Sequence, residues 1–112
     1  MILDVDSREE NGVTVVDLEG KMTTTTVPEA ESYLKELLED GVSQILLNLE
    51  GVDFIASTGL RVILATGKKL MATDGKLVIC CLNPTVADVF RMSGFSQMFP
   101  VFDTEEEALA SF

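Results

Sequence analysis

Residues 44–82 read QILLNLEGVDFIASTGLRVILATGKKLMATDGKLVICCL. The stretch begins with "QILLNL" (44–49), too short for a buried helix and apolar at successive positions, as suits a strand covered on both faces. A loop, "EGVDFIAS" (50–57), follows. Leu60, Ile63, Leu64, Gly67, Leu70 and Met71 then recur at the three- and four-residue spacing of one helix face, and Gly75 closes that helix. "KLVICCL" (76–82) repeats the strand pattern. A strand, a crossover helix and a second strand are the unit of a parallel sheet, so this stretch places the chain in the α/β class.

Toward the N-terminus, Ile2, Leu3 and Val5 open an apolar-rich segment, and "ENGVTVVDLEG" follows with Asn11-Gly12, the dipeptide best suited to a tight hairpin turn. The first two strands are therefore expected to pair antiparallel. In "TVPEAESYLKELLEDG" the period changes: Val27, Ala30, Leu34, Leu37 and Leu38 predict a helix, with Thr26 and Glu29 as a capping box, Pro28 in the first turn and Gly41 at the stop. Toward the C-terminus, "NPTVADVFRMSG" predicts a short helix capped by Asn83 and ended by Gly94. "MFPVF" (98–102) reads as a last short strand, and "TEEEALASF" as a terminal helix with Thr104 and Glu107 as a second capping box. The expected order is ββαβαβαβα in a mixed sheet, as one domain over residues 1–112. Loops ahead of helices in such sheets share one edge, which brings "GKMTTT" and "IASTG" together.

Charge and composition exclude several functions. The net charge is −11, which argues against nucleic acid, because a phosphate backbone is bound by clustered Lys and Arg. Residues 57–94 nonetheless hold five Lys or Arg against two Asp, so the segment after the central motif is locally basic within an acidic chain. No apolar run approaches the ~20 residues of a membrane span, and "MILDVDSREE" lacks the pattern of a signal peptide; a cytoplasmic protein without a membrane partner is expected. There is no histidine, no Gly-x-Ser-x-Gly, no zinc-ligand spacing and no phosphate-binding loop, so no cofactor, no metal and no enzymatic activity are expected. The two cysteines, Cys80 and Cys81, are adjacent, and strand alternation sends them to opposite faces as a reduced structural pair.

"FIASTGLR" (54–61) needs an account of its two hydroxyls and glycine between strand and helix. In a purely structural account, Ser57 or Thr58 caps the second helix and Gly59 permits close packing. A serine at that position also sits where free amides and the helix dipole favour negative charge, so the fold tolerates a phosphate there, with Arg61 one turn on as a partner.

"ILLNLEGVDFIASTGLRVILATGKKL" followed by "GKLVICCLNPTVADVFRMSGF" resembles the STAS domain, and within it the small stand-alone anti-sigma factor antagonists. The likeness spans nearly the whole chain. It implies a STAS-like α/β domain with helices packed mainly on one face, and a regulatory binding module for transcription signalling. The family signature Asp-Ser-[Ser/Thr]-Gly-Leu falls on Ala56, Ser57, Thr58, Gly59 and Leu60, which makes Ser57 the implied phosphorylation site. The implied partners are an anti-sigma factor that is also a serine kinase and a PP2C-type phosphatase that restores the free serine. The implied interface comprises Thr23, Thr24, Thr25, Ser57, Thr58, Gly59, Leu60, Arg61, Met92 and Phe95. Two family aspartates are replaced, by Ala56 and by Thr23, and this favours the alternative of a scaffold or assembly subunit with no phosphorylation cycle. Arg61 stands where glycine is common.

Overall fold

A computed structural model describes residues 2–112; Met1, the first residue of the expected domain, lies outside the described residues. The strands are β1 (Asp4–Glu10), β2 (Val13–Met22), β3 (Gln44–Ile55), β4 (Lys76–Cys80) and β5 (Val101–Phe102), and the helices are α1 (Val27–Glu39), α2 (Ser57–Ala72), α3 (Pro84–Ser93), α4 (Phe95–Met98) and α5 (Glu105–Ala110). The sheet order is β1-β2-β3-β4-β5, with β1 antiparallel to β2 and every later pair parallel. Asn11 and Gly12, with φ of 53° and 81°, form the expected hairpin turn, since both central residues take the left-handed backbone that matches the strand twist.

Alternation along the strands builds two cores. Val16, Leu18, Ile45, Leu47, Leu77 and Ile79 face one way and pack beneath α1, α2, α3 and α4 through Ala30, Leu34, Ile63, Leu70 and Phe90. Val13, Val15, Leu46, Val78 and Cys80 face the other way and meet only α5 and the chain beside it, through Ala108, Phe102, Leu109 and Phe112. Helices thus lie mainly on one face, as the family resemblance implied. Polar contacts fasten α5: Glu105 accepts from Arg8 and, at 3.0 Å, from Asn48, and Lys76 donates to the Ser111 carbonyl.

Three local expectations change. The "EGVDF" segment is strand, not loop: β3 runs on to Ile55 because it keeps pairing with Glu19–Met22 through two register shifts, which absorb the Gly and Asp that read as loop signals. The "MFPVF" strand shrinks to Val101–Phe102, since Met98 completes a single helical turn and Pro100 has no amide to donate. Cys81 does not continue β4's alternation, as described below. The Asn83 and Thr104 caps form as expected: Asn83 Oδ1 accepts from the Val86 amide at 2.9 Å and Thr104 Oγ1 from the Glu107 amide at 3.2 Å. Among the described residues, no helix is long and apolar enough to cross a membrane.

Candidate functional site

Because β2 and β3 are parallel, both end on one edge, and the segments leaving them stand side by side. Pairing persists to Met22 opposite Ile55, and the next amide along, that of Ala56, donates to the Met22 carbonyl at 2.8 Å. "GKMTTT" and "IASTG" are therefore neighbours joined by backbone.

The first of these segments is a turn fixed by its own hydroxyls. The Thr26 and Val27 amides both donate to the Thr23 carbonyl, at 3.1 and 2.9 Å. Thr26 is buried; its Oγ1 donates to the Lys21 carbonyl at 2.6 Å and accepts from the Thr23 amide at 2.9 Å. This corrects the predicted capping box: Thr26 has helical dihedrals and its hydroxyl, already committed to Lys21 and Thr23, makes no cap to α1. Thr24 and Thr25 are left exposed and Thr23 half-buried.

The second segment also departs from expectation. Neither Ser57 nor Thr58 caps α2. The cap position belongs to Ala56, which is extended and has no side chain to bond the first-turn amides. Ser57 is instead the first helical residue and is exposed. The Thr58 Oγ1 is buried without a hydrogen-bond partner. Gly59 is buried because α2 starts directly over the strand ends: a Cβ there would lie 2.9 Å from Ile55 Cγ1 and 3.4 Å from Met22 Cβ. Leu60 packs half-buried against the larger core, and Arg61 is exposed, with no carboxylate paired to it among the described residues.

Thr24, Val27, Pro28 and Glu31 on one side and Thr58, Arg61, Val62 and Ala65 on the other frame a groove of about 330 Å³ between the starts of α1 and α2. Three residues singled out from the sequence, Thr24, Thr58 and Arg61, thus meet in one concavity. Val27 was legible only as a core position of its helix, and Val62 is not among the apolar positions whose spacing predicts α2. Glu31 and Ala65 carried no signal, since an acid and an alanine on helix flanks are ordinary.

Two expected interface residues part company. Phe95 is 7% exposed, its ring edge-on to Phe90 at 5.7 Å and to Phe99 at 6.2 Å. This overturns a surface role for Phe95: Gly94, left-handed at φ 83°, turns the chain back so that the next side chain enters the core. Met92 is 85% exposed near the end of α3, about 12 Å along that helix from Pro84. The helix itself is anchored near the strand ends, where Asn83 Nδ2 donates to the Val52 carbonyl at 2.7 Å.

Chemically, the edge presents one exposed hydroxyl at a helix start whose first amides have no acceptor within the helix, a place that favours added negative charge. The first turn of α2 carries no acid to compete for those amides. An exposed Lys21–Asp53 pair at 3.2 Å bridges β2 and β3 just before it. Among the described residues, no group of three His, Cys, Asp or Glu is placed to hold a metal ion.

The STAS domain model matches residues 4–108. The chain is 36% identical over 102 residues to the protein named "Putative anti-sigma factor antagonist BtrV" of Bordetella bronchiseptica, covering 91% of this chain and 88% of that one. It is 30% identical over 110 residues to an anti-sigma F factor antagonist of Paenibacillus polymyxa, covering 97% and 94%. A crystal structure of an anti-sigma factor antagonist from Mycobacterium paratuberculosis superposes with a TM-score of 0.90 at 25% identity, covering 97% of this chain and 92% of that one.

Proposed function

The chain belongs to the STAS domain family, and from that premise we propose that it is an anti-sigma factor antagonist: a regulatory binding module, not an enzyme, switched by phosphorylation of Ser57. In this reading the free protein captures a cytoplasmic anti-sigma factor that is also a serine kinase, releasing a sigma factor. The kinase phosphorylates Ser57 and is itself released, and a PP2C-type phosphatase resets the cycle. The observation that carries the reading is the position of Ser57, exposed as the first residue of α2 and tied through Ala56 and Met22 to the turn of Thr23–Thr25. A phosphate at that place meets the Ser57 and Thr58 amides at the positive end of the helix dipole, with Arg61 one turn on as a cation. The fold accommodates the added charge, and the partner's surface is what it repels. The proposed interface is Thr23, Thr24, Thr25, Ser57, Thr58, Leu60 and Arg61 around the groove, with Met92 at its margin and Gly59 as the packing residue that seats the helix.

One observation favours a second reading. Ala56 leaves α2 without a side-chain cap at the position where the family places an aspartate, so the kinase-facing side of Ser57 lacks an acid. That suits a scaffold subunit bound through the same edge with no phosphorylation. Incubation with a cognate anti-sigma kinase and ATP, followed by phosphopeptide mapping, separates the two. One phosphate at Ser57 is expected; stable binding without modification, or modification at Thr58 instead, gives the edge to the scaffold.

A further inference from the structure

Cys80 and Cys81 lie away from this edge, at the end of β4 on the α5 side. Alternation sends Leu77 and Ile79 to the helix-covered face and Val78 and Cys80 to the other, so Cys81 should return to the first. It does not. β4 ends at Cys80, and Cys81 takes the left-handed backbone at φ 67°, held by its amide donating to the Phe102 carbonyl at 3.0 Å. The turn swings the second thiol back toward the first: both belong to the smaller core, with Phe102, Ala108, Leu109 and Phe112, and the two sulfurs are 3.1 Å apart. Cys80 is fully buried, whereas Cys81 is reached by solvent. A left-handed residue with a Cβ is strained, and here the strain results in contact between two thiols, one accessible and one enclosed.

We infer that Cys80 and Cys81 form a redox-sensitive pair that closes to a vicinal disulfide when the protein meets a hydroperoxide. Cys81, having released its proton to solvent, attacks the peroxide oxygen as the thiolate. An S–O bond forms and the O–O bond breaks, leaving Cys81 as the sulfenic acid and releasing the alcohol, or water from hydrogen peroxide. The Cys80 sulfur then attacks the Cys81 sulfur. The S–S bond forms, the S–O bond breaks, and the departing hydroxide leaves as water with the Cys80 proton. Two thiols have lost two electrons and two protons, and the hydroperoxide has been reduced.

Burial, aided by a hydrogen bond with the Cys81 thiol, pushes the Cys80 thiol up and keeps it protonated, which fixes the order: the accessible thiol meets the oxidant and the enclosed one resolves it. The product ring is strained, because adjacent Cα atoms are about 3.8 Å apart whereas relaxed disulfides span at least about 4.4 Å. Such a bond is easily reduced, as befits a reversible modification. Its closure acts on the turn that leads, two residues on, to Asn83 and its bond to Val52.

Intact-mass measurement of the reduced full chain after a hydrogen peroxide titration, with quenching by a thiol alkylator, tests this. The wild type is expected to lose two hydrogens, to resist alkylation at both cysteines, and to regain both thiols with dithiothreitol. Cys80→Ser is expected to stop at a sulfenic acid on Cys81, trapped by dimedone. Cys81→Ser is expected to remain unoxidised at the same dose. Stepwise oxygen addition at Cys81 in the wild type, disulfide-linked dimers, or cysteine oxidation of Cys81→Ser matching wild type would each overturn the inference. Should either variant fail to fold, the mass of the wild-type peptide carrying both cysteines decides it, since the exposed Met71, Met92 and Met98 also take up oxygen in the intact chain.

Discussion

Phe99 closes on Gly67 so tightly that a Cβ at position 67 would lie 2.3 Å from its ring. The contact locks the middle of α2 to the segment after α4, and the surroundings offer no slack because Leu77 stands 3.1 Å from the same point. Gly67→Ala is therefore expected to destabilise by about 1–3 kcal/mol through overpacking, outweighing the gain of nearly 1 kcal/mol that alanine brings to a helix interior. A thermal melt reads this as a loss of roughly 4–8 °C per kcal/mol. An unchanged or raised midpoint would show that the ring and helix do not meet.

Ala56→Asp supplies the missing cap of α2. The backbone is already extended there and, while the Gly59 amide donates to the Ala56 carbonyl at 2.9 Å, the Thr58 amide awaits an acceptor, so stability should rise by about 0.5–1 kcal/mol. Phosphorylation at Ser57 should quicken as well, most of all when Thr23→Asp accompanies it. Denaturant midpoints and kinase rates are measured on the same proteins. A stability gain without a rate gain would place the kinase contact elsewhere.

Position 57 separates fold from binding. Ser57 is a first-turn residue and not the cap, so Ser57→Ala should change stability by less than about 0.5 kcal/mol while abolishing phosphorylation. Ser57→Asp should fold as well as wild type, since the helix start favours a carboxylate. A buried unpaired charge in the partner interface costs about 2–5 kcal/mol, so its binding should weaken roughly 30-fold to several thousand-fold. Calorimetric titration against the anti-sigma factor checks this, and equal affinities for Ser, Ala and Asp would move the interface off this edge.

Thr58→Val replaces a hydroxyl that is enclosed without a partner by a methyl of the same shape. Removing an unsatisfied buried group should leave stability equal or raise it by up to about 1–3 kcal/mol. A marked fall in melting temperature would mean that the hydroxyl is bonded in solution.

How far these residues were legible beforehand follows from what each pattern encodes. The hairpin, the crossover helices and the caps at Asn83 and Thr104 were readable because each is a local choice of residue types over a few positions. Thr26 and Ser57 both have capping chemistry but misled for different reasons: Ser57 lies one residue inside α2, whose cap position is Ala56, and the Thr26 hydroxyl is taken by an acceptor elsewhere. That acceptor is a carbonyl five residues earlier, on β2. The continuation of β3 through Gly51 and Asp53 rests on pairing with β2, a relation between distant segments that no window on either reveals. The exposed serine and its neighbouring threonines could be read from their order in the chain; the groove between them, made by Val27, Pro28, Val62 and Ala65, exists only after α1 and α2 have packed.

Glu105 gives the fold an acid-sensitive fastening. The hydrogen bond from Arg8 holds its carboxyl below the usual carboxylate range, helped by Asn48 against the opposing effect of burial. The unfolded chain therefore takes up its proton at a higher pH than the folded one. Stability contributed by this group is present above the ordinary glutamate range near pH ~4.3 and is lost as pH falls through the lower folded value. Glu105→Gln should cost about 1 kcal/mol at pH 7 for this partly exposed pair, with the gap to wild type closing below about pH 4. Denaturant melts across that range test it; a gap independent of pH would assign the loss to shape and not charge.

Each strand of this sheet lies beside the one made just before it, so a chain emerging from the ribosome never has to hold open a slot for a later strand to thread. Assembly can follow synthesis from β1 onward, and the layer beneath α1, α2, α3 and α4 closes only once Phe95 and Phe99 have been added. The opposite face waits: Val13, Val15, Leu46 and Val78, with the paired thiols, stay bare until residues 101–112 bring β5 and α5 over them. At about 5–20 residues per second that last stretch takes roughly a second. During that interval a newborn molecule is open to aggregation and to oxidants on one side only.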